Sequence, residues 1–516
     1  MIIITSGGYV QPELRTEFGD IPACMLPLAN RKLIEHQVRI LRAAFAEEPI
    51  MVVLPEQYVL TVHEAALLDR LGIHVRRASP GLSPCAALGE ILGGEEAGWE
   101  HVRLLRGDRL FSEFPEGVDL VSVFPGSDGH APDRADGGEG ADEPSWAGFF
   151  AFSSRTSLIR SLRLAGESLA DAIRHYGREL PLRSVPVERW CDLGRLDAYF
   201  HSRSILTAQR SFNTLNVDAD IVTKTGTPPE KIEAEADWYR GVPEHIKKYA
   251  PRLISQGSLA GQPYYQLEYL PLSPLNELFV HGRNPVSFWE YAFDLIKDFF
   301  VATAGARVDK KSIEKATRRL YADKTRQRLG IFTAAEGIDD ARPLYYAGEQ
   351  LPSLREIREE CLDRTLALPC APGILHGDLC LSNILIDPRA GSIKVIDPRG
   401  LDHDNTKTIY GDQKYDLAKL AHSCIGLYDF IISGYYRLEK DDLYHYRLHI
   451  DRDERLEAVQ DRFWKKRFLP QCAVADVMPL TVLLFLSMLP LHNDSHDKQR
   501  ALFANALRLY RAYVMR

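Results

Sequence analysis

The segment Leu375–Gly400, LHGDLCLSNILIDPRAGSIKVIDPRG, constrains this chain more tightly than any other stretch. Two short apolar runs, NILID and SIKVID, flank the turn RAGS, and a pattern of this kind makes a β-hairpin. The hairpin carries Asn383 at its entrance and Asp397 at its exit, which brings the two side by side. Just upstream stands Asp378, five positions before Asn383. Phosphoryl transfer needs such a set: Asn383 and Asp397 as Mg²⁺ ligands on nucleotide phosphates, and Asp378 as acceptor of a hydroxyl proton. The tetrapeptide IDPR occurs twice, but its copies differ in place. Asp387 opens the turn at the far end of the hairpin, whereas Asp397 returns beside Asn383.

A chain of 516 residues is too long for one ordinary core, so two or three domains are expected. Apolar content of 45% with 26% charged residues is that of a soluble globular protein, and the net charge of -8 argues against nucleic-acid binding. Eight scattered cysteines with no CxxC pair read as reduced thiols of a cytoplasmic protein. MIIITSGGYV lacks the basic and long apolar regions of a signal peptide. The run VMPLTVLLFLSMLPL (477–491) is shorter than the ~20 residues of a membrane span and contains prolines, so it reads as a buried helix. The oligomeric state is not legible.

Through about residue 205 the pattern alternates: MIIIT, PIMVVLP, IHVRRA and HVRLLRGD as strands, with RKLIEHQVRILRAAF at helical spacing. That alternation predicts an α/β, Rossmann-like first domain over 1–205 with a mostly parallel sheet. Residues 126–144, rich in Gly, Asp and Pro, read as a flexible surface insertion whose aspartates lack calcium-loop spacing. From 206 onward a few strands precede many helices, which predicts an α+β second domain over 206–516, with a small lobe over 206–270 and a helical lobe over 271–516.

HGDLCLSN and the hairpin ending at Asp397 resemble the catalytic loop and metal-binding aspartate of the aminoglycoside phosphotransferase and choline kinase-like group, which has a protein-kinase-like fold. GDQKYDLAKLAHS (411–423) resembles that group's next segment, and the resemblance makes Asp416 a support of the catalytic loop. Upstream, IVTK sets Lys224 on a strand and KIEAEADWY sets Glu235 on a helix, with Glu233 as the alternative partner; such a Lys–Glu pair orients ATP phosphates. QLEYL (266–270), with Glu268 at its centre, resembles the hinge that meets adenine. No GxGxxG precedes Lys224. Cys380 lies in the loop with no base placed to activate it, and His492 reads as a satisfied helix-end histidine.

ITSGGYVQPELRTEFGDIPACMLP (4–27) resembles the opening of sugar-nucleotide pyrophosphorylases. The resemblance spans about 1–205 and implies phosphate contacts from Gly7, Gly8 and Arg15, with Asp108 and Asp192 as metal ligands. The departure is at the family's PKxLLP, here PACMLP, so Ala23 stands where a phosphate-neutralising lysine belongs. Arg31 or Lys32 are the candidates to replace it.

Together the resemblances imply an ATP- and Mg²⁺-dependent kinase acting on a hydroxyl of a sugar or amino-alcohol, with a second NTP (CTP, UTP or GTP) at the first domain if that domain is active. The pairing of domains points to activated precursors for capsule or envelope polysaccharide. The alternatives are a kinase with a non-catalytic sugar- or nucleotide-sensing first domain, and a binding or scaffold protein.

Overall fold

The computed structural model describes residues 1–94, 98–124, 146–205, 213–218, 220–259, 261–305 and 309–515. The stretch 126–144, read from sequence as an insertion, lies outside the described residues. The chain divides into two compact units, Met1–Leu206 with His281–Arg283, and Thr207–Val280 with Asn284–Arg516.

The first unit is built on a seven-stranded sheet. Its first strand, Ile2–Thr5, lies parallel between Ile50–Pro55 and Val102–Arg106, with Ile73–Ala78 beyond on one side. Ile2–Thr5 and Ile50–Pro55 are apolar because inner strands of a parallel sheet are covered on both faces, whereas the edge strand Ile73–Ala78 carries polar residues. The order around Ile2–Thr5 reverses there, and a crevice opens at the carboxyl ends of the strands where it does. Beyond Val102–Arg106 the sheet departs from a Rossmann arrangement. Trp146–Phe152 runs antiparallel to both its neighbours, and Leu120–Val123 and Arg183–Pro186 complete the edge.

The second unit opens with a four-stranded antiparallel sheet whose central strand is Ile221–Gly226. Lys224 is the one fully buried residue of that strand. A lysine is almost never buried without partners, so this position must face acidic groups. The helix Pro229–Gly241 packs on the sheet and buries Glu235 beside Trp238 and Tyr239. Helices form most of the rest, around Met478–Met488, whose side chains are buried almost throughout. The segment Ala475–His492 has the length and hydropathy of a membrane span, but 67% of it is buried inside this unit, which makes it a core helix. One element departs from the mostly helical expectation. Pro343–Tyr346, Glu349–Ser353, Arg437–Lys440 and His445–His449 form a small sheet. Its first hairpin turns on Ala347 and Gly348, both at positive φ (52° and 82°), the conformation a tight two-residue hairpin requires.

The hairpin of Ile384–Asp387 and Ser392–Val395 forms in register, with Ile384 opposite Val395. Asp387 caps its turn, accepting from the amides of Arg389 and Ala390 at 3.0 Å each. Downstream, the helix Lys414–Cys424 fixes the loop that precedes the hairpin. Asp416 accepts the amides of His376 and Gly377, one on each carboxylate oxygen, both at 2.8 Å. Gly377 sits at φ +82°, and a Cβ there would meet the Cβ of Arg399 at 2.6 Å. A buried amide left without an acceptor costs about 1–3 kcal/mol. Asp416→Asn offers one oxygen for two amides and should lower unfolding free energy by about that amount in urea titrations, whereas Asp387→Asn keeps its turn bonds and should be near neutral.

Candidate active site

Four segments of the second unit meet at the catalytic loop. The Lys224 ammonium donates to Glu235 Oε2 at 2.7 Å and to Asp397 Oδ1 at 2.9 Å. Burial works against its charge, yet Asp397 and Glu235 outweigh burial and hold its pKa above the ordinary lysine value. Tyr265, directly opposite Lys224 on the neighbouring strand, donates its hydroxyl to Glu235 at 2.8 Å and fixes that carboxylate. Glu233 points elsewhere, to Lys407 at 2.9 Å. Asp397 adopts φ +58°, which turns its side chain back from the strand end, and its amide donates to the Tyr239 hydroxyl at 3.1 Å.

His376 is buried, and burial drives its pKa down to about 4, so the ring is neutral at physiological pH. Nε2 pairs with the Ile396 carbonyl at 2.9 Å while Nδ1 accepts the Asp378 amide at 3.3 Å, which assigns the proton to Nε2. The histidine thereby staples the loop to the second hairpin strand. Asn383 donates from Nδ2 to the Asp378 carbonyl at 2.9 Å and to its carboxylate at 3.3 Å. Its backbone carbonyl accepts the Ile396 amide at 3.0 Å, one residue before Asp397.

The residue that sequence reasoning passed over is Lys419, whose ammonium lies 2.8 Å from Asp378 Oδ1. Burial pushes the Asp378 carboxyl up, but Lys419 more than reverses this and holds it well below the usual carboxylate range. The signal was present in DLAKL: Asp416 faces the loop, and a residue three positions on shares its helix face. Glu268 ends the strand Gln262–Glu268, and its carboxylate accepts the Arg252 amide at 2.9 Å, so its side chain serves the sheet. Cys380 is buried, and burial raises its pKa to about 12, which leaves it an unreactive thiol. His492 lies 3.4 Å from the Tyr428 hydroxyl.

Asn383 and Asp397 supply an amide oxygen and a carboxylate, hard donors that suit Mg²⁺. Among the described residues no group of three or more His, Cys, Asp or Glu is built to hold a metal alone. An ion at Asn383 and Asp397 would therefore complete its shell with phosphate oxygens and water, as Mg²⁺ does with nucleotides.

The first unit holds a cavity of about 710 Å³ at the carboxyl end of its sheet, lined among others by Gly7, Gly8, Ala23, Arg106 and Asp108. A Cβ on Gly7 would press on Ala78 at 3.0 Å, so the chain passes close to its neighbour there. The remaining expectations for this unit need correction. Arg15 lies off the cavity lining, donating to the Val10 carbonyl at 3.1 Å and resting over Tyr9. Lys32 cannot stand in for the missing lysine at Ala23, because it is buried in an ion pair with Glu64 at 2.8 Å. Arg31 is exposed and pairs with Glu35. Asp108 and Asp192 approach each other around Gly194, but the Arg109 guanidinium stands between them. It is hydrogen-bonded to Asp192 and lies 3.5 Å from Asp108. Arg106 takes both oxygens of Asp108, at 3.2 and 2.9 Å. Each carboxylate already has its cation, so a divalent ion could bridge them only by displacing a guanidinium. The sequence showed the aspartates, and it also showed the arginines on either side of Asp108 in RGDR.

Residues 220–449 match the family model described as the phosphotransferase enzyme family. No curated protein matches the chain. Among solved structures, the GDP complex of an aminoglycoside 2'-phosphotransferase is 12% identical, with 59% of this chain and 90% of that one covered at a TM-score of 0.38. A thermostable mutant of another aminoglycoside phosphotransferase is 11% identical, with 60% and 94% covered and a TM-score of 0.38. A nucleoside-diphosphate-sugar pyrophosphorylase from Vibrio cholerae RC9 is 16% identical, with 39% of this chain and 99% of that one covered and a TM-score of 0.32; it matches the N-terminal part. The stretch that holds Lys224, Glu235, Asp378, Asn383 and Asp397 thus matches the phosphotransferase enzyme family that its HGDLCLSN loop resembles.

Proposed function

We propose that the second unit transfers the γ-phosphoryl group of ATP to a hydroxyl of a small molecule in the cytoplasm. One observation carries the reading: a buried lysine held between Glu235 and Asp397, in the same unit as an Asp378 carboxylate hydrogen-bonded to Asn383. Lys224 is oriented by two carboxylates, so its ammonium is a fixed cation for nucleotide phosphates and not a mobile one. Asp378, kept ionised by Lys419, is ready to accept the proton of the attacking hydroxyl. Asn383 and Asp397 are the residues that would hold Mg²⁺, which when bound neutralises phosphate charge. The backbone of residues 266–270, at the end of an inner strand of the four-stranded sheet, is the proposed adenine hinge.

For the first unit, Arg109 between Asp108 and Asp192, together with Ala23 on the cavity wall, favours binding of a sugar or nucleotide without nucleotidyl transfer. Coupling to an NDP product for capsule or envelope glycan would need a metal to displace the arginines from those aspartates; that setting rests on the pairing of the two units alone.

Three outcomes test these readings. Asp378→Ala should reduce acceptor-dependent ADP formation by about 10²–10⁴-fold with folding retained, measured in a coupled assay; a rate close to wild type would remove Asp378 as base. Lys419→Met should let the Asp378 pKa climb toward its ordinary value, since its depression comes from Lys419. A base is active only when deprotonated, so the acidic limb of the kcat/KM profile should move to higher pH. Finally, the full chain with CTP, UTP or GTP and a sugar 1-phosphate should release no pyrophosphate. Release that is lost in Asp108→Ala would restore nucleotidyl transfer.

A further inference from the structure

Four cationic side chains gather near Asp378, and among the described residues only one of them has an acidic partner. Lys419 is the paired one. Lys324 and Arg328 stand one turn apart on the helix Lys324–Glu336, so they share a face. Arg328 donates to the Ser487 carbonyl at 3.3 Å, at the end of the core helix Met478–Met488. Arg399 belongs to the loop itself: its amide donates to the His376 carbonyl at 2.7 Å and its Cβ rests against Gly377. Among the described residues the Lys324 ammonium and the Arg399 guanidinium have no hydrogen-bonding or ion-pair partner. The main electrostatic neighbours of Lys324 are Arg399, Arg328 and Lys419, opposed by Asp378 alone, and burial with this crowding holds its pKa well below the usual lysine value. The helix is entered through the π-turn Arg319–Asp323, a backbone form frequent at functional sites.

Half-buried like charges repel one another and lose hydration, a cost that an anion among them removes. In the kinase reading the nucleotide phosphates already have Lys224, Asn383 and Asp397, whereas the acid acting on Lys324 is Asp378. The uncompensated cations lie with Asp378, which faces the acceptor hydroxyl.

We propose that the phosphoryl acceptor is itself an anion, a small hydroxylated carboxylate or phosphate ester, whose charge is received by Lys324, Arg328 and Arg399. This deepens the kinase reading and rests on it. The acceptor oxygen bonds to the γ-phosphorus, the bond from that phosphorus to the β–γ bridging oxygen breaks, ADP leaves with the electron pair, and the hydroxyl proton passes to Asp378. Cationic amino-alcohols are excluded by the same charges that hold the anion.

Two measurements on the full chain test the proposal. In the first, inorganic phosphate is titrated into protein saturated with Mg²⁺ and AMP-PNP and followed by calorimetry. Phosphate should bind to the wild type and fail to bind to Lys324→Met/Arg328→Met, while Lys324→Arg retains it and the AMP-PNP affinity of the double variant stays within about twofold. No phosphate binding to the wild type overturns the proposal. So does a double variant that loses AMP-PNP, since the cations then serve ATP. In the second, ADP formation is compared for glucuronate and glycerate against glucose, glucosamine and choline. Turnover should favour the acids, with an acceptor KM raised at least about tenfold in the folded double variant; preference for glucosamine or choline overturns it. Failure to bind AMP-PNP at all, with phosphate still bound, would sink the kinase reading and leave the anion site standing.

Discussion

The Lys224 ammonium, buried between Glu235 and Asp397, is the interaction on which the rest of the second unit depends. It ties three elements that are distant in sequence: the central strand Ile221–Gly226, the helix Pro229–Gly241 and the exit of the catalytic hairpin. A buried ion pair contributes little net stability against an apolar equivalent, but removing one partner costs about 3–5 kcal/mol because the other charge is left bare. That asymmetry specifies geometry. Asp397 holds a left-handed backbone at φ +58°, a conformation that costs a non-glycine residue on the order of 1 kcal/mol. Its contacts with Lys224 and the Tyr239 hydroxyl offset the cost and aim the carboxylate.

Around this pair the supporting bonds run to the backbone. Asp416 holds the amides of His376 and Gly377, and the neutral His376 ring bridges the loop to Ile396. Each functional side chain is therefore positioned by a group that itself has nowhere else to go. Such second contacts keep a reacting set within the narrow tolerance that phosphoryl transfer demands.

Much of this was legible in the sequence because its signals are local. HGDLCLSN and the hairpin fix Asp378, Asn383 and Asp397 within one short stretch, and the turn chemistry of Asp387 distinguishes the two copies of IDPR. Lys224 and Glu235 were readable from their order on strand and helix. The other cations were not: Lys324 and Arg328 lie on one helix and Arg399 lies in the loop after the hairpin, and only packing brings them to Lys419. The small sheet over 343–353 and 437–449 was missed for a related reason, since its strands are short and pair across a long gap in sequence. In the first unit the error ran the other way. Asp108 and Asp192 carry the right residue type, but the adjacent arginines neutralise them, and a motif of ligands says nothing about a competing intramolecular cation.

The central claim is that Asp397, and not its sequence double Asp387, completes a Mg²⁺-dependent ATP site with Lys224. Calorimetric titration of the full chain with ATP, with and without Mg²⁺, tests it most directly. Wild type and Asp387→Ala should bind ATP with the same affinity and the same Mg²⁺ dependence, while folded Asp397→Ala should lose the Mg²⁺ dependence. Equal losses in the two variants, or Mg²⁺-dependent binding that survives in Asp397→Ala, would contradict the account.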